Sequence, residues 1–110
     1  MPRYRGGRIT TLNRNRQAKG LGPAEATTLA IRGLAFLASD EDVLGRFLGT
    51  TGLAVDELGA RAEDPVLLGA VLDFLLGDEP LLLRFCTEVD CAPELPARAR
   101  AKLPGFMPPD

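Results

Sequence analysis

From Pro23 onward the chain is a succession of Leu- and Ala-rich runs separated by short polar breaks. β-Branched residues are few and the alternating apolar–polar pattern of a half-buried strand is almost absent, so the runs predict helices and not a sheet. Prolines mark the starts. Pro23, Pro65, Pro80 and Pro93 stand at or just before an apolar run, where a missing N–H removes no helical hydrogen bond and a fixed φ suits the first turn. Asp64 and Asp78 are placed to cap the runs that follow them. Gly52 and Gly77 stand where a left-handed residue would end the preceding run. Six helices are expected, over residues 23–38, 41–51, 55–62, 65–76, 79–89 and 93–103.

The apolar positions also repeat at long range. Sliding residues 36–47 onto 74–85 matches Phe36 with Phe74, Leu37 with Leu75, Asp40 with Asp78 and Glu41 with Glu79. Leu44 with Leu82, Arg46 with Arg84 and Phe47 with Phe85 bring the total to seven identities in twelve positions, at a constant offset of 38. A shared Leu and Ala content does not match arginines, acids and phenylalanines, so the pattern reads as a duplication. The expected fold is all-α: a six-helix bundle built from two tandem three-helix repeats. A unit of that size is too small to bury a sufficient core alone, and two units are too few for an open solenoid, so the repeats are expected to share one core. The fourth helix, apolar nearly all round from Val66 to Leu76, is where they should meet.

Charge divides the chain differently. The first twenty residues hold six basic side chains (Arg3, Arg5, Arg8, Arg14, Arg16 and Lys19) and no acid, whereas residues 21–90 carry thirteen acids against four arginines. The small net charge of −2 is thus a basic arm nearly cancelled by an acidic body. Without hydrophobic period, residues 1–22 read as a disordered basic extension, residues 23–104 as the duplicated domain and residues 105–110 as a tail. No run is long and apolar enough to span a membrane, and no apolar segment follows the basic arm to make a secretory signal. A soluble, cytoplasmic protein is expected, with Cys86 and Cys91 as reduced thiols.

The composition is poor in catalytic chemistry. The 110 residues include no histidine, no tryptophan, and Ser39 as the one serine, which removes the commonest general base and nitrogen ligand. No glycine-rich phosphate loop is present. Asp40, Asp42 and Gly45 imitate the start of a calcium loop, but Leu44 and Thr51 stand where ligands are needed, so these acids read as helix-capping residues. Cys86 and Cys91 align with Leu48 and Leu53 under the repeat and read as small core hydrophobes. Arg46 and Arg84 could line a symmetric anion site, or form local pairs with Asp42 and Glu88 four residues away. Asp73, alone among apolar neighbours, should either face outward on the strip it shares with Gly69 and Gly77 or meet Arg32, Arg46 or Arg84. Neither catalysis, a cofactor nor a metal is expected.

The segments Gly33-Leu-Ala-Phe-Leu-Ala-Ser-Asp40, Leu44-Gly-Arg-Phe-Leu-Gly-Thr-Thr-Gly-Leu53 and Ala70-Val-Leu-Asp-Phe-Leu-Leu-Gly-Asp-Glu79 resemble domain of unknown function 3572, a family of small helical proteins of alphaproteobacteria. The resemblance runs from Pro23 to Leu103, with Val71 to Leu76 its most specific part; residues before Leu21 depart from it. It implies a bacterial cytoplasmic protein without assigned activity, and gene neighbourhoods near two-component response regulators point to signalling. The function expected is a non-enzymatic interaction module, using a groove between the repeats or a self-association face. Val66, Leu67, Leu83 and Phe106 are candidates for that surface beside Asp73, Arg46 and Arg84. The alternative is a nucleic-acid accessory acting through the basic arm.

Overall fold

The computed structural model describes residues 21–104; the basic arm and Phe106 lie outside them. Six helices and no strand occur among the described residues: α1 (Pro23–Ala38), α2 (Glu41–Thr51), α3 (Val55–Ala60), α4 (Pro65–Leu76), α5 (Glu79–Val89) and α6 (Leu95–Arg100). Four match the expected bounds. The third and sixth are single short helices of six residues, and Pro93 lies outside α6 while Pro96 takes the early-helix place.

Local chemistry sets these boundaries. The Glu25 carboxylate accepts the Gly22 N–H at 3.0 Å at the start of α1, and Glu57 accepts the Ala54 N–H at 2.8 Å at the start of α3. Asp40 accepts the N–H groups of Asp42 and Val43 at 3.0 and 3.2 Å, Asp64 that of Val66 at 2.9 Å, and Asp78 that of Leu81 at 3.2 Å. Each satisfies first-turn donors that the helix itself cannot reach. Gly52 ends α2 in the left-handed conformation at φ 77°. Gly77 does not: at φ −83° it is right-handed, and it is the single residue between α4 and the Asp78 cap of α5. The left-handed residue of the second half is Asp90, at φ 58°.

The core is centred on α1 and α4, which pack against each other and both against α6, while α2 packs on α1 and α5 on α4. Leu68, Val71, Leu72 and Leu75 of α4 are fully buried with Leu37, Phe47 and Phe85. Helices α3 and α6 are not equivalent in place. α6 buries Pro96, Ala99 and Arg100 between α1 and α4, whereas α3 anchors through Leu58 alone at the periphery. No helix of the described residues is long and apolar enough to cross a membrane.

Candidate functional site

Residues 38 positions apart make matching contacts. Phe36 meets Phe85 with ring centroids 5.5 Å apart, and Phe74 meets Phe47 at 5.4 Å. Arg84 lies over the Phe36 ring and Arg46 over the Phe74 ring, each 5.6 Å from the centroid. Those arginines also reach the helix-capping acids: Arg46 Nη1 donates to Asp78 Oδ2 at 3.3 Å, and Arg84 Nη2 lies 3.7 Å from Asp40 Oδ2. Each capping carboxylate thus serves a helix N-terminus with one oxygen and an arginine from the other half of the chain with the other. The local partners Asp42 and Glu88 are not used; each flat guanidinium lies over the face of a half-buried ring while keeping a carboxylate within reach. Both arginines remain more than half exposed, so the pairs position α2 and α5 more than they stabilise them.

Asp73 meets none of Arg32, Arg46 or Arg84. Its Oδ1 accepts the Arg100 Nε–H at 2.8 Å. The carboxylate stands at the solvent boundary, but the Arg100 side chain is only 8% exposed. Arg100 Nη1 donates further to the carbonyls of Leu103 and Pro104, at 3.3 and 3.1 Å, and so ties the chain beyond α6 back onto α4. Gly69, one turn before Asp73, makes room: a Cβ there would lie 3.1 Å from the guanidinium carbon. Gly69 is therefore buried beneath Arg100 and does not form an outward strip with Asp73 and Gly77, and its place in the sequence does not say which arginine arrives.

The surface candidates separate as well. Val66 and Leu83 are exposed, whereas Leu67 is buried in the core, so it offers nothing to a partner. The concave surface lies elsewhere, between α1 and the α5–α6 junction. A cavity of about 250 Å³ there has an apolar floor of Leu21, Leu29, Val89 and Leu95 under a rim that includes Glu25 and Asp90. A shallower cleft of about 450 Å³ continues it past Arg32 and Val89, which line both, to Phe36, Ser39 and Arg84. Of the interaction candidates among the described residues, only Arg84 lines this groove. Leu29 is a core residue and Val89 packs against the core, and the groove exposes their outer edges.

The profile of the family described as "Protein of unknown function (DUF3572)" matches residues 23–106. The chain belongs to that family. No curated protein and no solved structure matches it. The matched span of the DUF3572 chain contains both Arg–Asp–Phe clusters, the Arg100 tie and most of the groove, and begins two residues after Leu21.

Cys86 and Cys91 complete the site's chemistry. Cys86 is buried in the core, and Cys91 is half-buried on the wall of the cavity. Burial, then a hydrogen bond with Cys86 and the neighbouring Asp90 charge, push the Cys91 thiol up to about 12. Ser39 Oγ donates to the Phe36 carbonyl at 2.7 Å.

Proposed function

We propose that this DUF3572 chain is a non-enzymatic interaction module that receives a short segment of a partner protein in the groove between α1 and the α5–α6 junction. One observation carries the reading: an apolar-floored cavity of about 250 Å³ opens into a longer cleft whose rim bears both signs of charge. Glu25 and Asp90 beside the cavity favour a basic residue of the ligand; Arg32, which lines both parts, and Arg84, which lines the cleft with Glu88, favour a carboxylate or carbonyl. An apolar side chain between them would fill the cavity over Leu29 and Leu95. The absence of histidine, with the single serine hydroxyl turned onto a carbonyl of its own helix, supports a role without catalysis.

We infer also that the domain arose as two tandem units that share one core. The reciprocal Phe–Phe, Arg–Phe and Arg–Asp contacts at one constant offset support this, and on that view the groove runs along the seam between the units. A cytoplasmic setting suits two free thiols.

The test uses the full chain as bait in a lysate of its source cell, beside two surface variants. Arg32→Glu reverses a charge that lines both parts of the groove, and Val66→Glu alters an exposed residue outside it. Proteins held by the wild type and by Val66→Glu but released by Arg32→Glu, with cross-links to α1, are the expected result. Retention by the wild type and both variants alike would refute the groove, and salt-sensitive DNA or RNA binding that depends on residues 1–20 would favour the nucleic-acid reading instead.

A further inference from the structure

The two thiols are brought together by the way α5 ends. Asp90, left-handed at φ 58°, donates its N–H to the Cys86 carbonyl, and the next N–H, that of Cys91, donates to the same oxygen at 2.9 Å. Bonds from the fourth and fifth following residues onto one carbonyl fold the residue after the left-handed position back over the last turn of the helix. The matching positions in the first half are Leu48, Gly52 and Leu53, where Gly52 donates to the Leu48 carbonyl at 2.8 Å. Two leucines occupy there the places that two cysteines occupy at the end of α5.

Geometry brings the cysteines within bonding range. The 2.9 Å bond between Cys91 N and Cys86 O limits their Cα separation to about 6.8 Å, the upper end of what a disulfide spans. Their side chains are neighbours: Cys86 Sγ lies 3.9 Å from the carbonyl of Ala92, the residue next to Cys91, and Cys86 acts on the Cys91 thiol. Access is unequal. Cys91 lines a cavity open to solvent, and Cys86 lies beneath it in the core.

We propose that Cys86 and Cys91 form a reversible dithiol–disulfide site that is oxidised by small-molecule disulfides, with Cys91 the thiol that attacks the oxidant arriving from solvent and Cys86 the resolving thiol. In the first step the Cys91 sulfur, losing its proton to water, attacks one sulfur of the oxidant; a mixed disulfide forms and one thiolate leaves, to be protonated. In the second, the Cys86 sulfur attacks Cys91, the protein disulfide forms, and the second small thiol leaves with the proton Cys86 gives up. Two protein thiols are oxidised and one small disulfide is reduced to two thiols. Because the Cys91 thiolate is scarce near neutrality, the first step limits the rate and should speed up about tenfold per pH unit. The bond would pin the Asp90 turn and thereby fix one wall of the groove.

The test exposes the native full chain to oxidised glutathione in mildly alkaline solution and follows intact mass, with the same chain in urea as reference. The expected product is lighter by two hydrogens, about 2 Da, carries no glutathione, and accumulates several-fold faster relative to mixed disulfide in the native chain than in urea. Cys86→Ala should stop at a single glutathione adduct on Cys91. The proposal is overturned if the native chain keeps both thiols, stops at the mixed disulfide or links to a second chain under conditions in which the unfolded chain closes its own. That comparison is made on the wild type, so it decides even if Cys86→Ala fails to fold.

Discussion

Replacing Gly69 with alanine adds one methyl group to the middle of α4, a change that ordinarily stabilises a helix by about 1 kcal/mol. Here the sign should reverse. The new Cβ would lie 3.1, 3.2 and 3.3 Å from the Cζ, Nη1 and Nη2 atoms of Arg100, so the guanidinium must move by a few tenths of an ångström. It is not free to do so, because Asp73 holds Nε at 2.8 Å and the Leu103 and Pro104 carbonyls hold Nη1. Hydrogen bonds to a buried charged group are each worth about 1.5–3 kcal/mol, so weakening this set outweighs the gain in helix propensity. The expected net effect is a loss of about 1 kcal/mol, or about 4–8 °C in Tm for a domain of this size. Urea unfolding followed by far-ultraviolet circular dichroism measures it. Gly45→Ala and Gly49→Ala are the controls, since a Cβ at either position meets nothing within 4 Å; each should stabilise by about 0.5–1 kcal/mol. With Arg100 replaced by methionine, Gly69→Ala should turn from harmful to neutral or helpful. If Gly69→Ala stabilises the otherwise unaltered protein as much as Gly49→Ala does, Arg100 is not clamped on α4 and the account of Asp73 fails with it.

Two further outcomes test the packing and the thiol environment. Phe47→Ala and Phe85→Ala each empty a fully buried site and should cost about 3–5 kcal/mol, with the two values similar because the rings occupy matching places; a difference as large as either value would argue against equivalent halves. Cys91 has its thiol raised from an ordinary 9.0 to about 12, so the folded state holds a proton that the unfolded chain loses first. Its contribution to stability is therefore complete below about pH 9 and disappears between there and about pH 12. Urea midpoints measured in neutral and alkaline solution should fall more steeply for the wild type than for Cys91→Leu, and equal slopes would refute the assignment.

What could be read before folding was considered is what acts over three or four residues. Asp40, Asp64 and Asp78 cap helices because an N-terminal N–H lies two or three residues away, and prolines are tolerated only in the first turn. Hence the bounds of α1, α2, α4 and α5 were legible to the residue. Gly77 shows the limit of that logic, since whether a C-terminal residue turns left-handed depends on where the chain must go next.

The partners of the charged residues were not legible. Arg46 and Arg84 each have an acid four residues away, yet both turn to a ring and a carboxylate contributed by the other half of the chain. Asp73 is met by Arg100, which is 27 positions distant and is the last residue of α6. Such choices depend on which surfaces the assembled helices present to one another, and several arginines satisfy the same local pattern. The groove is of the same kind: α6 wedges between α1 and α4 while α3 stays outside, so two halves with one helical pattern pack differently, and a cavity opens beside α1 where the α5–α6 junction leaves its outer edge uncovered. Helix identity and the 38-residue pattern follow from the order of residues; the Arg100 tie, the seating of Cys91 on the cavity wall and the groove exist only once the helices have closed on one another.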